Sequence, residues 1–103
     1  MANTSPRIDL PMAEIEAFCH KWGVIEFALF GSVVRDDFGP NSDIDVMVTF
    51  AEDHRTDLFD YVDMIDELKE MFGRPVDLVQ AGTIENPFRL KSIMRDLSVV
   101  YAA

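Results

Sequence analysis

Three stretches of the chain repeat apolar residues every three or four positions, the spacing that places side chains on one face of a helix. The first, LPMAEIEAFCHKWG (10–23), and the second, TDLFDYVDMIDELKEMFG (56–73), both finish on a glycine, a residue common at helix ends. The third, NPFRLKSIMRDLSVVYAA (86–103), opens on an Asn-Pro pair typical of a helix start. The predicted apolar faces of the three helices are Ile15, Phe18 and Trp22; Leu58, Tyr61, Val62, Ile65, Leu68 and Phe72; and Leu90, Met94, Leu97 and Tyr101.

Three shorter apolar stretches, rich in β-branched and aromatic residues, predict strands: VIEFALF (24–30), IDVMVTF (44–50) and RPVDLVQ (74–80). The first two are separated by SVVRDD (32–37), which we interpret as a short helix or turn, and by the turn formers FGPNSD (38–43). Helices and strands in this order predict an α/β (α+β) fold, in which a short mixed β-sheet is packed with helices.

The charge of the chain narrows the classes of partner. Nineteen acidic residues against nine basic ones give a formal net charge of −10, which repels the phosphate backbone of DNA or RNA. We therefore expect no direct nucleic-acid binding. A single nucleotide can still bind, because divalent cations bridge its phosphates to carboxylates.

The composition is typical of one cytoplasmic domain. A chain of 103 residues can form one hydrophobic core, so we assign 1–103 to a single domain, with about 1–11 as an N-terminal arm. No apolar run approaches the roughly 18 residues of a membrane span, and the N-terminus lacks the pattern of a secretory signal, so we expect no membrane association. A lone cysteine, Cys19, excludes an internal disulfide and is expected to be a small buried hydrophobe.

Two aspartates open the second predicted strand. Alternate side chains of a strand share a face, so Asp43 and Asp45 point the same way, about 7 Å apart at Cα, while Ile44 faces the core. If the third strand pairs beside the second, Asp77 joins them on that face. Three such carboxylates repel one another without cations, and oxygen-only ligands suit Mg²⁺ or Mn²⁺. Two such ions about 4 Å apart are a recognised arrangement for phosphoryl chemistry.

A glycine-serine pair follows the first predicted strand. Gly31 allows the backbone to approach a ligand closely, and Ser32 can cap a short helix and offer its hydroxyl. Free N–H groups at a helix start bind phosphate. Arg35 lies on nearly the same side of that turn and can pair with a phosphate oxygen. The sequence thus predicts anchors for the tail of a triphosphate.

Gly31-Ser32, ten intervening residues, Asp43-Ile44-Asp45 and a later strand aspartate, Asp77, together resemble the DNA polymerase β-like nucleotidyltransferase superfamily. More narrowly, LFGSVVRDDFGPNSDIDVMV, the RPVDLV strand and the NPFRLKSIMRDLSVVY ending are similar to the minimal nucleotidyltransferase (MNT) family. The similarity runs from about residue 12 to 102.

The resemblance implies an antitoxin, encoded beside a helical HEPN-domain ribonuclease toxin, that transfers AMP from ATP to a tyrosine hydroxyl of that toxin. It implies that Asp43 and Asp45 bind two Mg²⁺ ions, or Mn²⁺ in their place. Asp77 would bind the catalytic ion and help to deprotonate the hydroxyl. Gly31 and Ser32 would hold the β- and γ-phosphates with the assistance of Arg35.

Simpler interpretations of these residues stay open. Asp43-x-Asp45 also fits a turn-capping aspartate followed by a solvated one, and Arg35 can pair with Asp36 or Asp37 at the surface. The basic residues of the last predicted helix are ordinary surface residues, or they contact the nucleotide or the partner: Arg89, Lys91 and Arg95.

Two other functions are compatible with the sequence. One is a non-catalytic antitoxin that masks the toxin by direct binding, and the other is nucleotidyl transfer to a small-molecule or RNA-end acceptor. An excess of apolar residues near the C-terminus predicts a protein interface: Phe88, Val99, Val100 and Tyr101.

Overall fold

A computed structural model describes residues 8–35 and 38–103. Within these residues the elements are α1 (Met12–Trp22), β1 (Val24–Phe30), a 3₁₀ turn (Gly31–Val34), β2 (Ile44–Phe50), α2 (Leu58–Phe72), β3 (Val76–Gln80), α3 (Pro87–Asp96) and β4 (Ser98–Ala102). None of the helices in this part of the chain combines the length and apolarity needed to cross a membrane. Residues 1–7 of the expected N-terminal arm lie outside the described part.

The four strands of the described chain form one mixed sheet in the order β3-β2-β1-β4. β1 runs antiparallel to both β2 and β4, whereas β2 and β3 are parallel. Parallel neighbours need a crossover connection, and α2 provides it. The Tyr61 hydroxyl of α2 donates a hydrogen bond to the carbonyl oxygen of Leu78 on β3, which holds the crossover helix to the strand it precedes. The predicted α+β fold with a short mixed sheet is confirmed.

Local sequence sets the C-terminal ends of α1 and α2 and the start of α3 where they were predicted. α1 and α2 end at Gly23 and Gly73, whose backbones are left-handed, and the N–H of each glycine closes the last helical turn. Asp57 and Asp60 form a reciprocal capping box at the start of α2. The side chain of Asn86 accepts hydrogen bonds from the first turn of α3, at the predicted Asn-Pro start.

The sheet has an apolar layer on each face. On one face, strand residues such as Leu29 and Val46 pack with α1 and α2 in the larger core. On the other face, Phe30, Met47 and Val79 pack against Ile93 of α3. Cys19 is buried in the larger core, as expected. The alternation along β2 places Ile44 and Val46 under α1 and α2, and Asp45 and Met47 on the face that carries α3.

The predicted third helix is wrong beyond Asp96. The last residues form β4, an edge strand in which Val99 pairs with Ala28 of β1 and Tyr101 pairs with Phe27. Val99-Val100-Tyr101 favours a strand, and β1 offers an open edge to pair with. Ending the helix there leaves Val100 and Tyr101 partly buried against the larger core. Phe88 and Val99 stay exposed, and the protein interface expected here remains a prediction.

Two predicted helix faces are also corrected. On α3 the buried residue is Ile93, while Leu90 and Met94 are 39% and 55% exposed. On α2 the buried residues are Met64 and Leu68, while Leu58 is 74% exposed. On α3 the true face is rotated by about one position from the predicted one. Most of the predicted α2 face is confirmed, because four of its residues lie in or against the larger core: Tyr61, Ile65, Leu68 and Phe72. Other large apolar side chains stay exposed, among them Phe59, Val62, Phe88 and Val99.

Candidate functional site

The parallel pairing of β2 and β3 brings two of the predicted acids side by side. Asp45 and Asp77 are direct register partners, so their side chains share one face, and adjacent strands are about 4.8 Å apart. Asp43 lies two residues before Asp45, just ahead of β2, and is exposed. The strand pairing that the sequence predicted for Asp77 is confirmed, and the three acids lie at the same end of the sheet.

The turn that carries Asp43 is fastened by Arg74, a residue that sequence reasoning missed. The Nη1 atom of Arg74 donates hydrogen bonds to the carbonyl oxygens of Gly39 and Ser42, at 2.8 and 3.1 Å. Its guanidinium also lies over the ring of Phe38, 4.3 Å from the ring centroid. Arg74 thereby fixes the approach of the chain to the first acid. The turn composition of FGPNSD gave no sign of this long-range anchor.

Electrostatic crowding is concentrated at Asp45. Burial, followed by the charges of Asp77 and Asp43, raises the pKa of Asp45 from 3.8 to about 6. Arg35 and Arg89 act in the opposite direction and lower this pKa. At neutral pH the Asp45 carboxylate is therefore ionised although its surroundings disfavour the charge. A bound cation would offset this electrostatic cost.

The donor atoms of this cluster fit a hard divalent cation. Asp43, Asp45 and Asp77 offer only carboxylate oxygens, the ligands of Mg²⁺ and Mn²⁺. Within the described residues, however, no three His, Cys, Asp or Glu side chains converge closely enough to hold an ion by themselves. Mg²⁺ is commonly bound by one or two carboxylates together with substrate phosphates, so this site suits an ion that arrives with a nucleotide.

Gly31 lies directly against the acidic cluster. Its φ of 74° is in the left-handed region, and a Cβ added there would overlap the carboxylate oxygen Oδ2 of Asp45 and lie 3.1 Å from its Cγ. Position 31 thus requires glycine for two reasons: its left-handed backbone angle and the lack of space for a side chain. The predicted close approach of backbone and ligand site is consistent with this geometry.

The expected helix after β1 is only the 3₁₀ turn of Gly31–Val34. The residue before the turn is Phe30, so Ser32 lies inside the turn and does not cap it, contrary to our prediction. Such a short turn carries little helix dipole, which leaves the half-buried Ser32 hydroxyl and the local N–H groups as the available donors. Asp36 and Asp37 lie outside the described residues.

Arg35 is held by the far end of α3. Its Nη1 atom lies 3.2 Å from Oδ2 of Asp96, the last residue of that helix. This ion pair joins the chain after Gly31-Ser32 to the helix that covers the acidic face of the sheet. The partners suggested from sequence, Asp36 and Asp37, lie outside the described residues, and among the described ones Arg35 pairs with Asp96, 61 residues away along the chain.

A cavity of about 210 Å³ lies between this turn and α3. Its lining combines both charges: Gly31, Arg35, Asp45, Arg89, Ser92 and Asp96. Two larger clefts, of about 530 and 510 Å³, lie between α1 and α2 and beside His54, and neither touches the three acids. The charged lining of the smaller cavity, and not its volume, therefore identifies it as the candidate site.

Ser92 and Asp96 were missed by sequence reasoning, and Arg89 was left open. Together with the buried Ile93 they follow the 89, 92, 93, 96 spacing of one helical face. That face points at the acidic end of the sheet. A helical face drawn around Ile93, in place of Leu90 and Met94, would have found them.

The chain matches known proteins over most of its length. A family model described as a nucleotidyltransferase domain matches residues 14–100. A Thermococcus cleftensis protein named protein adenylyltransferase MntA is 32% identical over an alignment of 100 residues, which covers 89% of this chain and 96% of that protein. A Methanocaldococcus jannaschii protein, provisionally named a protein adenylyltransferase, is 40% identical over 80 residues, covering 78% of this chain and 80% of that protein.

Solved structures share the fold. A crystal structure of a toxin-antitoxin with AMP-PNP has a TM-score of 0.72 at 20% identity and covers 91% of this chain and 75% of that one. A tri-AMPylated Shewanella oneidensis HEPN toxin in complex with an MNT antitoxin gives 0.63 at 18% identity, covering 88% and 69%. A protein provisionally described as a minimal nucleotidyltransferase gives 0.64 at 28% identity, covering 84% and 89%.

Proposed function

Because this chain belongs to the family of nucleotidyltransferase domains, we propose that it is an Mg²⁺-dependent adenylyltransferase that modifies and silences a HEPN-domain toxin. Membership confirms the resemblance that Gly31-Ser32 and Asp43-x-Asp45 predicted, and with it the enzyme class. The acceptor, the metal and the role of each residue belong to the proposal.

One observation carries the proposal: Asp45 lies beside Asp77 across parallel strands and against Gly31 at the start of the 3₁₀ turn. This places potential metal ligands next to backbone that can approach a phosphate. The relatives named as adenylyltransferases support ATP as the nucleotide, as does the AMP-PNP complex of a similarly folded protein.

In the proposed reaction the acceptor oxygen forms a bond to the α-phosphorus of ATP. The bond from that phosphorus to the α,β-bridging oxygen breaks, and pyrophosphate leaves. Gly31 and Ser32 hold the β- and γ-phosphates, Arg35 assists them, and Asp77 accepts the proton of the attacking hydroxyl. Divalent ions held by Asp43, Asp45 and Asp77 would neutralise the charge on the phosphates. The remaining catalysis is positioning within the site.

The acceptor we propose is a tyrosine hydroxyl of the toxin. Support comes from the similarly folded MNT antitoxin, whose partner is an AMPylated HEPN toxin. An acidic chain of net charge −10 repels nucleic acid, so a protein acceptor fits better than an RNA end. We further propose that the toxin gene lies next to this one and that both products act in the cytoplasm.

The decisive experiment incubates the purified chain with its toxin, labelled ATP and Mg²⁺. We expect label on a toxin tyrosine, identified by peptide mass mapping, and loss of both label and cell protection in the double variant Asp43→Asn with Asp45→Asn. The matched control is Asp63→Asn, which removes an exposed charge from α2.

The same experiment separates catalysis from masking. If no label reaches the toxin while the double variant still protects cells, the protein neutralises by contact and the enzymatic proposal is wrong. If label appears only on small molecules added to the reaction, the proposed acceptor class is wrong.

A further inference from the structure

Arg89 occupies an unusual place for a cation. It is the third residue of α3, in a first turn that reads Pro87-Phe88-Arg89, and Asn86 fixes this turn by accepting hydrogen bonds from the N–H groups of Phe88 and Arg89. The start of a helix carries partial positive charge, so a guanidinium there is disfavoured unless an anion lies nearby. At this position Arg89 is therefore favourable only with an anionic group nearby.

The neighbour in this structure is a predicted metal ligand. Nη2 of Arg89 lies 3.7 Å from Oδ2 of Asp77, and the two side chains are 52% and 54% exposed. The charge of Arg89 also reaches Asp45, whose pKa it lowers. A long and half-exposed ion pair of this kind contributes little to stability and is easily exchanged for another partner.

The remaining contacts direct Arg89 toward the nucleotide cavity. Arg89 lines that cavity with Gly31 and Arg35, while Ile93, one turn further along, is buried and pins α3 to the sheet. Asp96, at the other end of the same helical face, holds Arg35. One face of α3 thus places two guanidiniums around the space beside Gly31.

We infer that Arg89 is a nucleotide-binding residue that exchanges partners: it neutralises Asp77 in the empty site and binds the triphosphate when nucleotide and divalent ion arrive together. The inference rests on the proposed function and adds a residue to it. In the exchange no covalent bond changes; the guanidinium leaves Asp77 for a phosphate oxygen, which frees the carboxylate to ligate the ion.

The exchange predicts effects of opposite sign in the variant Arg89→Gln. Affinity for AMP-PNP with Mn²⁺, measured by calorimetry, should fall by about tenfold or more, the usual loss for one charge-assisted hydrogen bond. Affinity for Mn²⁺ alone, measured by water proton relaxation, should rise by about two- to fivefold, because Asp77 no longer has a competing cation. Arg89→Lys, which keeps the charge, should recover part of the nucleotide affinity.

Lys91→Gln is the matched control, since it removes an equal charge from an exposed position of the same helix. Circular dichroism melting of each variant checks that the fold is intact. Equal changes in Arg89→Gln and Lys91→Gln would show a bulk charge effect and overturn the inference, as would unchanged Mn²⁺ affinity or unchanged nucleotide affinity in Arg89→Gln. If the wild-type protein itself fails to bind AMP-PNP with Mn²⁺, the proposed function falls first, which distinguishes the two failures.

Discussion

Replacing Asp45 with asparagine should stabilise the metal-free fold while removing a proposed metal ligand. The substitution keeps the shape of the side chain but abolishes its charge. In the folded protein that charge is disfavoured by burial and by the neighbouring Asp77 and Asp43, which together raise the pKa of Asp45 from 3.8 to about 6. The free energy of unfolding should therefore increase in the variant.

The magnitude follows from the pKa of Asp45. One pKa unit corresponds to about 1.4 kcal/mol, so the rise to about 6 sets an upper limit of about 3 kcal/mol. Solvent screening of a partly exposed carboxylate reduces this, and we expect a gain of about 1–2 kcal/mol at pH 7.5. In a domain of this size that corresponds to a rise in Tm of roughly 4–12 °C.

The pH dependence of stability gives a second check on the sign of the Asp45 effect. Between about pH 4 and pH 6 the folded wild-type protein binds more protons at Asp45 than the unfolded chain does, so this group makes stability fall as pH rises through that window. Below about pH 4 the carboxyl is protonated in both states and the advantage of Asp45→Asn should disappear. Above about pH 6 the gain in the free energy of unfolding from Asp45→Asn should reach its full value.

The assay is urea unfolding in EDTA at several pH values between 3.5 and about 8, compared among the wild type, Asp45→Asn and Asp63→Asn. The last variant controls for the reduction of net charge, because Asp63 is exposed on α2. Adding Mg²⁺ with AMP-PNP should stabilise the wild type more than Asp45→Asn. An equal gain in both variants, or a loss in Asp45→Asn at pH 7.5, would refute the reasoning.

Three further substitutions test the core and the site. Gly31→Ala should cost about 1–2 kcal/mol of stability for its backbone angle and abolish AMP-PNP binding measured by calorimetry; wild-type affinity would contradict the proposed phosphate-binding role of Gly31. Met64→Ala should lower the free energy of unfolding, measured in urea, by about 2–5 kcal/mol, whereas Val62→Ala at an exposed position should lower it by less than about 0.5 kcal/mol. Similar losses in the two variants would show that the buried face of α2 is assigned wrongly. Asp96→Asn should raise KM for ATP in steady-state assays with little change in kcat, because it weakens one contact that positions Arg35; a fall confined to kcat would argue against that anchoring role.

Strong local signals explain the parts of the fold that the sequence predicted. β1 and β2 coincide with the predicted 24–30 and 44–50, since each is a compact apolar run bounded by turn formers or glycine. The C-terminal segment failed because its apolar residues fit a helical and a strand period equally well over a few positions. The open edge of β1 decides between the two, and this is a tertiary effect that local pattern does not contain.

The candidate site was likewise predictable from the sequence only in part. Asp43, Asp45 and Asp77 could be grouped from strand alternation and a parallel crossover, which depend on regular geometry. The Arg35–Asp96 pair and the Arg74 anchor could not, because each joins segments far apart in sequence through the packing of α3 and of the turn before β2.

The contact of Gly31 with Asp45 has a consequence for reading related sequences. As long as an acid occupies position 45, any residue larger than glycine at 31 intrudes on it, so the two positions must vary in concert. A homologue that carries a bulky residue at the equivalent of 31 has therefore abandoned the carboxylate or moved it aside. We expect such homologues to bind nucleotide weakly or not at all, because the substitution displaces a proposed metal ligand.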